Sequence, residues 1–221
     1  MKILGIDTST VACSVSLLNN EQLISKFELQ PRKQAQLILP LIDQILKESS
    51  LKLSELDAIA VTVGPGSFVG LRIGISIAQG LAFAYSLPVI PVSTLATMAQ
   101  GAYRQYQAKC TIVALDAHME EIYLGVYEIK HHLAIAIQPD QLCLPSKVRI
   151  QNAPWFVVGD AWNVYHTDLL SSINPQQMVA DFYPHAQDLL TLAKEAYLAN
   201  NMLAVENLQP NYLRGTEAWR T

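Results

Sequence analysis

One pattern restricts the fold of this chain more than any other. Three short extended segments joined by tight turns lead into alternating helical and strand segments, and the same order begins again after Lys109. Residues 3–6 are an apolar run ending in Asp7-Thr8-Ser9-Thr10. Residues 12–18 alternate, with Cys13, Val15 and Leu17 on one face and Ser14 and Ser16 on the other, and residues 23–29 follow an Asn19-Asn20 turn. Period-two alternation bounded by turn residues specifies an antiparallel meander. From Gln34 onward Leu37, Ile38, Leu41, Ile42, Ile45 and Leu46 recur at helical spacing, with Pro40 implying a kink or a late start. A buried strand over 56–63, a helix over 68–85, a strand over 87–92 and a helix capped by Ser93 running to about residue 106 complete the set.

The second set has strands over 111–115, 122–129 and 133–137, with Asp116 following the first of them as Asp7 follows its counterpart. A strand over 155–158 and helices over 161–170 and 185–198 close the chain, so the second copy looks reduced. A meander followed by alternating helices and strands, present twice, is the order of two-lobed α/β ATPases related to actin, Hsp70 and hexokinase. The expected fold class is therefore α/β with an actin-like ATPase (ASKHA) fold: an N-terminal lobe over 1–108 and a reduced C-terminal lobe over 109–221.

A chain of 221 residues that is 51% hydrophobic has ample material for buried cores. Its formal charge of −4 and lack of Lys/Arg clusters disfavour a free-standing nucleic-acid binder; the local basic hint is the tail, where Arg214 and Arg220 flank Trp219. Cys13, Cys110 and Cys143 form no CxxC pair and read as reduced core residues. Asp7 interrupts the opening apolar run before a signal sequence could form, so a cytoplasmic location is expected. Between Asp57 and Arg104 the only charged residue is Arg72, and the uncharged stretch over 73–103 is long enough to cross a bilayer. Ser76, Gln79 and Ser86 interrupt it, and Pro88 and Pro91 would break a helix there, so a helix, a strand and a second helix, all buried, are expected instead of a membrane span.

Two segments could carry chemistry. Asp7-Thr8-Ser9 offers hydroxyls, amides and a carboxylate that could meet phosphates or a hydrated metal, although the same residues also make a plain Asx or Ser/Thr turn. Gly64-Pro65-Gly66-Ser67, opening a helix, could hold an anion on unpaired amides, without a Walker or GxGxxG pattern. Asp7, Thr8, Ser9, Gly64 and Gly66 are thus the candidate phosphate contacts. Gly66, Gly70, Gly74, Ala78 and Ala82 fall four apart, and a face of small residues lets another backbone come close, from within the chain or from a partner. His118, His131, His132, His166 and His185 form no HxxxH or HExxH, and no GxSxG elbow exists, so no catalytic or metal-ligating residue emerges.

The segment Gly64-Pro65-Gly66-Ser67-Phe68-Val69-Gly70-Leu71-Arg72-Ile73-Gly74, with Ile6-Asp7-Thr8-Ser9-Thr10, resembles the bacterial TsaB family, also called YeaZ. The resemblance runs the length of the chain. It includes Leu39-Pro40-Leu41-Ile42-Asp43, Val92-Ser93-Thr94-Leu95-Ala96, Leu115-Asp116-Ala117 with Glu121-Ile122-Tyr123, Gly159-Asp160, Tyr183-Pro184-His185-Ala186, and Tyr212-Leu213-Arg214 with Ala218-Trp219. It implies a role in making threonylcarbamoyladenosine beside the tRNA anticodon. In that family the chemistry belongs to a paralogous subunit, TsaD, which carries the HxxxH metal site; the TsaB-like chain is a non-catalytic scaffold for it, and the ATPase TsaE joins them. The chain is accordingly expected to have no intrinsic cofactor, to meet ATP or ADP only in the assembled complex, to pair with itself when alone, and to touch tRNA only through the complex. A small actin-like ATPase or kinase acting alone is the alternative.

In the family the first two helices meet either TsaD or a second copy. Carried onto this sequence, the interface candidates are Gln36, Leu37, Pro40 and Leu41 on the first helix and Gly66, Phe68, Gly70, Ile73, Gly74 and Ile77 on the second. On this expectation Gly74→Leu blocks docking and leaves the chain folded. Lys33-Gln34-Ala35 stands where relatives usually show His-Ser, and Val69 replaces the usual Thr; both remove polar character at that edge and leave the apolar face intact.

Overall fold

A computed structural model describes residues 1–151 and 153–214; Ala218, Trp219 and Arg220, noted above, lie outside the described residues. Strands β1 (Lys2–Asp7), β2 (Ala12–Asn19) and β3 (Gln22–Leu29) form the expected meander, followed by helix α1 (Gln34–Ser49), strand β4 (Ala58–Gly64), helix α2 (Phe68–Tyr85), strand β5 (Val89–Ser93) and helix α3 (Thr94–Tyr106). The order then repeats as β6 (Cys110–Asp116), β7 (Ile122–Lys130), β8 (Leu133–Cys143) and β9 (Phe156–Val158), with short helices α4 (Ala161–Val164) and α5 (His166–Leu170), strand β10 (Gln177–Val179) and helix α6 (Ala186–Leu198). The first sheet has the order β3-β2-β1-β4-β5 and the second β10-β9-β6-β7-β8. In each, the opening strand pairs antiparallel with its successor and parallel with the strand after the meander. The fold is the two-lobed α/β type of the actin-like ATPases.

Alternation along β1 sends successive residues to opposite faces of the first sheet. Leu4 and Ile6, with Val15, Ile59 and Val61, pack under Ile38, Ile42 and Ile45 of α1 and Leu71, Ile75 and Ala78 of α2. Ile3, with Ala58, Ala60 and Ile90, packs under Leu189, Leu190 and Ala193 of α6. The central strands of this sheet are covered on both sides, which is why Ala58–Gly64 is buried at every position. In the second unit Ile112, Leu124 and Val157 pack with Trp162 and Leu169.

The expected boundary between residues 108 and 109 is not where the chain divides. One compact unit is Met1–Thr97 with Pro184–Asn211, and the other is Met98–Tyr183 with residues 212–214 among those described. The division falls inside α3, and α6, expected in the second lobe, covers the first sheet instead. An amphipathic helix states in its sequence that it needs a sheet but not which one. Three smaller differences have local causes. The helix expected over 161–170 is broken at Tyr165, whose φ of −115° and ψ of 35° are not helical. Strand β8 extends to Cys143, past the Pro139 that masked its pattern. Strand β10 has three residues, too few for a period to register.

By length and composition α2 could cross a membrane. It instead lays Leu71, Ile75, Ala78 and Ala82 into the first core.

Gly5 shows how tightly α6 is seated: a Cβ there would lie 2.9 Å from Leu190 Cγ and 3.2 Å from the carbonyl oxygen of Ala186. Gly5→Ala is expected to cost about 1–3 kcal/mol in a denaturant titration, because the helix has to move away. Gly80, in the middle of α2 with nothing within 4 Å of a Cβ, is the matched control. Gly80→Ala should stabilise by up to about 1 kcal/mol.

Candidate functional site

The turn after β1 sits against the start of α1 and the first turns of α2. Asp7 is fully buried. Its Oδ1 accepts from Ser9 Oγ at 2.6 Å, from the Ser9 amide at 3.3 Å and from Thr62 Oγ1 at 2.7 Å. Its Oδ2 is buried with no partner among the described residues. Burial pushes the Asp7 pKa up to about 6, outweighing the opposite pull of the bonds from Ser9 and Thr62. Thr8 Oγ1 donates to the carbonyl of Gly70 at 2.7 Å, the Ser67 amide donates to the carbonyl of Ser9 at 2.7 Å, and Gln34 Nε2 donates to the carbonyl of Thr10 at 2.7 Å. Gln34, one of the departures from the family pattern, thus ties the first residue of α1 to this turn.

Gly66, just before α2, and Gly70 and Gly74 of α2 make room for it. A Cβ on Gly70 would lie 2.1 Å from Thr8 O, on Gly74 2.5 Å from Thr8 Oγ1, and on Gly66 2.3 Å from Ser9 O. Gly66 has a φ of +159°. Gly64, at φ +115°, faces the carbonyl of Asn211, whose amide bonds back to Val63. The small-residue face is therefore occupied from inside the chain. Gly70 and Gly74 are buried and do not belong to an outward docking face, so Gly74→Leu is a core lesion and not a surface one. The phosphate assignment changes for the same reason. Asp7, Thr8 and Ser9 are at most 1% exposed, and both hydroxyls donate to groups of the chain, so in this conformation the turn presents none of them to an anion.

The outward side of the two helices is apolar in a different register. Gln36 and Pro40 are exposed and Leu37, Phe68, Ile73 and Ile77 half-buried, as a surface role requires, but Leu41 lies in the core between α1 and the sheet. An open groove is lined by Ala35, Phe68, Val69, Arg72, Ile73, Ser76 and Ile77. Val69 in its lining is 65% exposed, and Leu39 on α1 and Phe83 near the end of α2 are 53% and 79% exposed. The Arg72 guanidinium lies over the Phe68 ring, 3.7 Å from its centre. The glycine stripe does not mark Val69, Leu39 or Phe83. The signal was present in the phase: positions 69, 73, 76, 77, 80 and 83 lie opposite the buried stripe of Leu71, Ile75, Ala78 and Ala82.

The second unit repeats the turn with other chemistry. Asp116 ends β6 and accepts from Tyr165 Oη at 3.0 Å and from the His118 amide at 2.8 Å, and its own amide donates to Asp160 Oδ1 at 2.8 Å. Burial raises the Asp160 pKa. A Cβ on Gly159 would lie 2.2 Å from Ala114 O, matching the approach of Gly66 to Ser9 in the first unit. Among the described residues no three His, Cys, Asp or Glu side chains are grouped as a metal site.

A family model described as TsaD, tRNA N6-adenosine threonylcarbamoyltransferase, matches residues 27–221. The chain is 39% identical over 225 residues to the tRNA threonylcarbamoyladenosine biosynthesis protein TsaB of Escherichia coli, covering all of this chain and 97% of that one. A solved structure of YeaZ from Pseudomonas aeruginosa superposes with a TM-score of 0.92 at 39% identity, covering 96% of this chain and 99% of that one. The chain belongs to the TsaB family. One pairwise match to a transferase is shorter: the tRNA N6-adenosine threonylcarbamoyltransferase of Persephonella marina is 39% identical over 109 residues, covering 42% of this chain and 32% of that enzyme. Within a TsaB-family chain the closed Asp7–Ser9 turn and the apolar outer side of α1 and α2 are distinct features, one internal and one facing solvent.

Gly70→Ala should destabilise by several kcal/mol or prevent folding, because the intruding Cβ meets backbone that cannot give way. For Asp7 the pKa is about 6 in the folded chain and 3.8 ordinarily, so ionising it opposes folding. The penalty is absent below about pH 3.8, grows as pH rises, and is complete above about pH 6 at roughly 3 kcal/mol, from about 1.4 kcal/mol for each pH unit crossed. Asp7→Asn removes it. The stability of the wild type relative to Asp7→Asn, from urea titrations at pH 4 and pH 7, should fall by about that amount as pH rises.

Proposed function

We propose that this chain is a non-catalytic, activating scaffold subunit in the biosynthesis of tRNA threonylcarbamoyladenosine, docking a TsaD-type transferase through the outer side of α1 and α2. The observation that carries the reading is the apolar groove there, lined by Phe68, Val69, Ile73 and Ile77, with exposed Leu39 on α1 and exposed Phe83 further along the same side of α2. Partial kinship with the transferase supports it, since related chains can pair through equivalent helices. On this reading the glycines hold the first turn in place so that α2 presents its other side to the partner. A TsaE-type ATPase joins the assembly, ATP or ADP is bound only there, tRNA is met through the complex, and the chain works in the cytoplasm, pairing with itself when the transferase is absent.

A small actin-like ATPase acting alone is the second reading, and Asp7 is what favours it: a carboxylate at the end of β1 with one oxygen left without a partner among the described residues. ATP turnover by the isolated chain that disappears in Asp7→Ala would establish it in place of the scaffold.

Ile73→Asp and Val69→Asp, on the solvent side of α2, should abolish co-purification with the transferase and lower threonylcarbamoyladenosine in bulk tRNA, read by nucleoside mass spectrometry. Leu198→Asp, an exposed position on α6, should change neither. Undiminished modification after depletion of this chain would reject the role altogether.

A further inference from the structure

Strand β3 is the outer strand of the first sheet, and among the described residues no strand pairs with its far side. The two-residue turn Asn20-Glu21 closes between Asn19 and Gln22, and the register continues without a bulge to Ala12 opposite Leu29. The closing pair of such a hairpin exchanges both backbone bonds, and bonding alternates from there. Gln22, Ile24, Lys26 and Glu28 therefore bond to β2, while Leu23, Ser25, Phe27 and Leu29 direct their amides and carbonyls outward. Leu23, Phe27 and Leu29 also expose apolar side chains, on the face where Phe27 stacks against His185. A long outer strand with exposed apolar residues is a template for another strand unless something blunts it.

We propose that β3 pairs antiparallel with β3 of a second copy of this chain, about a two-fold axis at Phe27, joining the two first sheets into one. Charge selects this register. Of the symmetric pairings that set outward residues against outward residues, centring on Lys26 places Lys26 against Lys26, and centring on Ser25 leaves Lys26 opposite Ile24. Centring on Phe27 puts Lys26 opposite Glu28 on both sides of the axis, Phe27 opposite Phe27 and Ser25 opposite Leu29. Opposite charges and paired aromatics directly across a ladder are both favourable. Lys26 already bonds Glu48 on α1 at 2.6 Å, so it would stand between two carboxylates, on the α1 side of the sheet. A second copy is the occupant because the edge is complementary to itself in this register. The contact leaves the α1–α2 face free and does not depend on the function proposed for it.

The test uses the full chain carrying Ile73→Asp, so that association through the helices is removed, followed by sedimentation over a range of concentrations. A concentration-dependent dimer is expected. Lys26→Glu and Glu28→Lys should each raise its dissociation constant by about tenfold or more, and the two together should restore it to near the starting value. With Cys110→Ser and Cys143→Ser in place, Phe27→Cys should cross-link under mild oxidation, since bonded antiparallel partners lie about 5.5 Å apart at Cα, within disulfide reach. Leu23→Cys should not. A chain that stays monomeric with Ile73→Asp, a dimer indifferent to both single charge changes, or cross-linking at Leu23 in place of Phe27 would each overturn the proposal. The first of these outcomes leaves the helix face standing as the self-association surface. Conversely, an Ile73→Asp chain that still binds the transferase removes the helix-face reading without touching this one.

Discussion

The structure of the first unit depends on one close approach, that of Thr8 and Ser9 to Gly66, just before α2, and to the face of α2 that carries Gly70 and Gly74. No side chain larger than hydrogen fits at those three positions, because each would meet a carbonyl or hydroxyl oxygen at 2.1 to 2.5 Å. The contact is also polar. Thr8 donates to the Gly70 carbonyl and Ser67 donates to the Ser9 carbonyl, so backbone groups that this approach takes out of water are compensated. Seating α2 in this way fixes which of its sides is buried: Leu71, Ile75, Ala78 and Ala82 go to the core and Val69, Ile73, Ser76 and Ile77 outward.

From that constraint follows a change in what the glycine-rich segment means. A glycine stripe on an apolar helix permits a close neighbour, and nothing in the stripe says whether the neighbour belongs to the same molecule. Here the neighbour is the chain's own first turn. The same turn is the candidate phosphate contact of the sequence, and here its hydroxyls are spent on Asp7 and Gly70. Asp7 remains as a buried carboxylate with Oδ2 unpartnered among the described residues, and its burial lifts the pKa and makes the turn electrostatically costly.

Surface features lie away from this centre. The outer side of α1 and α2 is apolar without being small, with Arg72 laid over Phe68 and neighbouring Val69 exposed. Strand β3 offers a second, independent surface at the sheet edge, where Leu23, Phe27 and Leu29 are apolar and the intervening Lys26 and Glu28 have opposite sign. One surface is read by side chains and the other by backbone hydrogen bonds, so the two can be separated by mutation.

Much of this was legible in the sequence. Alternation in residues 12–18, the helical stripe from Leu37 to Leu46 and the repetition after Lys109 were enough for both meanders, for α1 and α2 and for the fold class, because local periodicity reports which side of an element is buried. What periodicity does not report is the identity of the covering element. That α6 lies on the first sheet was decided by Gly5 and the space it leaves for Leu189 and Leu190, a contact between residues far apart in the chain. That Leu41, Gly70 and Gly74 are interior, while Leu39, Val69 and Phe83 face solvent, was settled by how the helices seat on the sheet. The sequence by itself determined most of the elements, their order and the family. Tertiary structure alone decided which neighbour each apolar or glycine face meets, because burial depends on distances across the fold that no local pattern encodes.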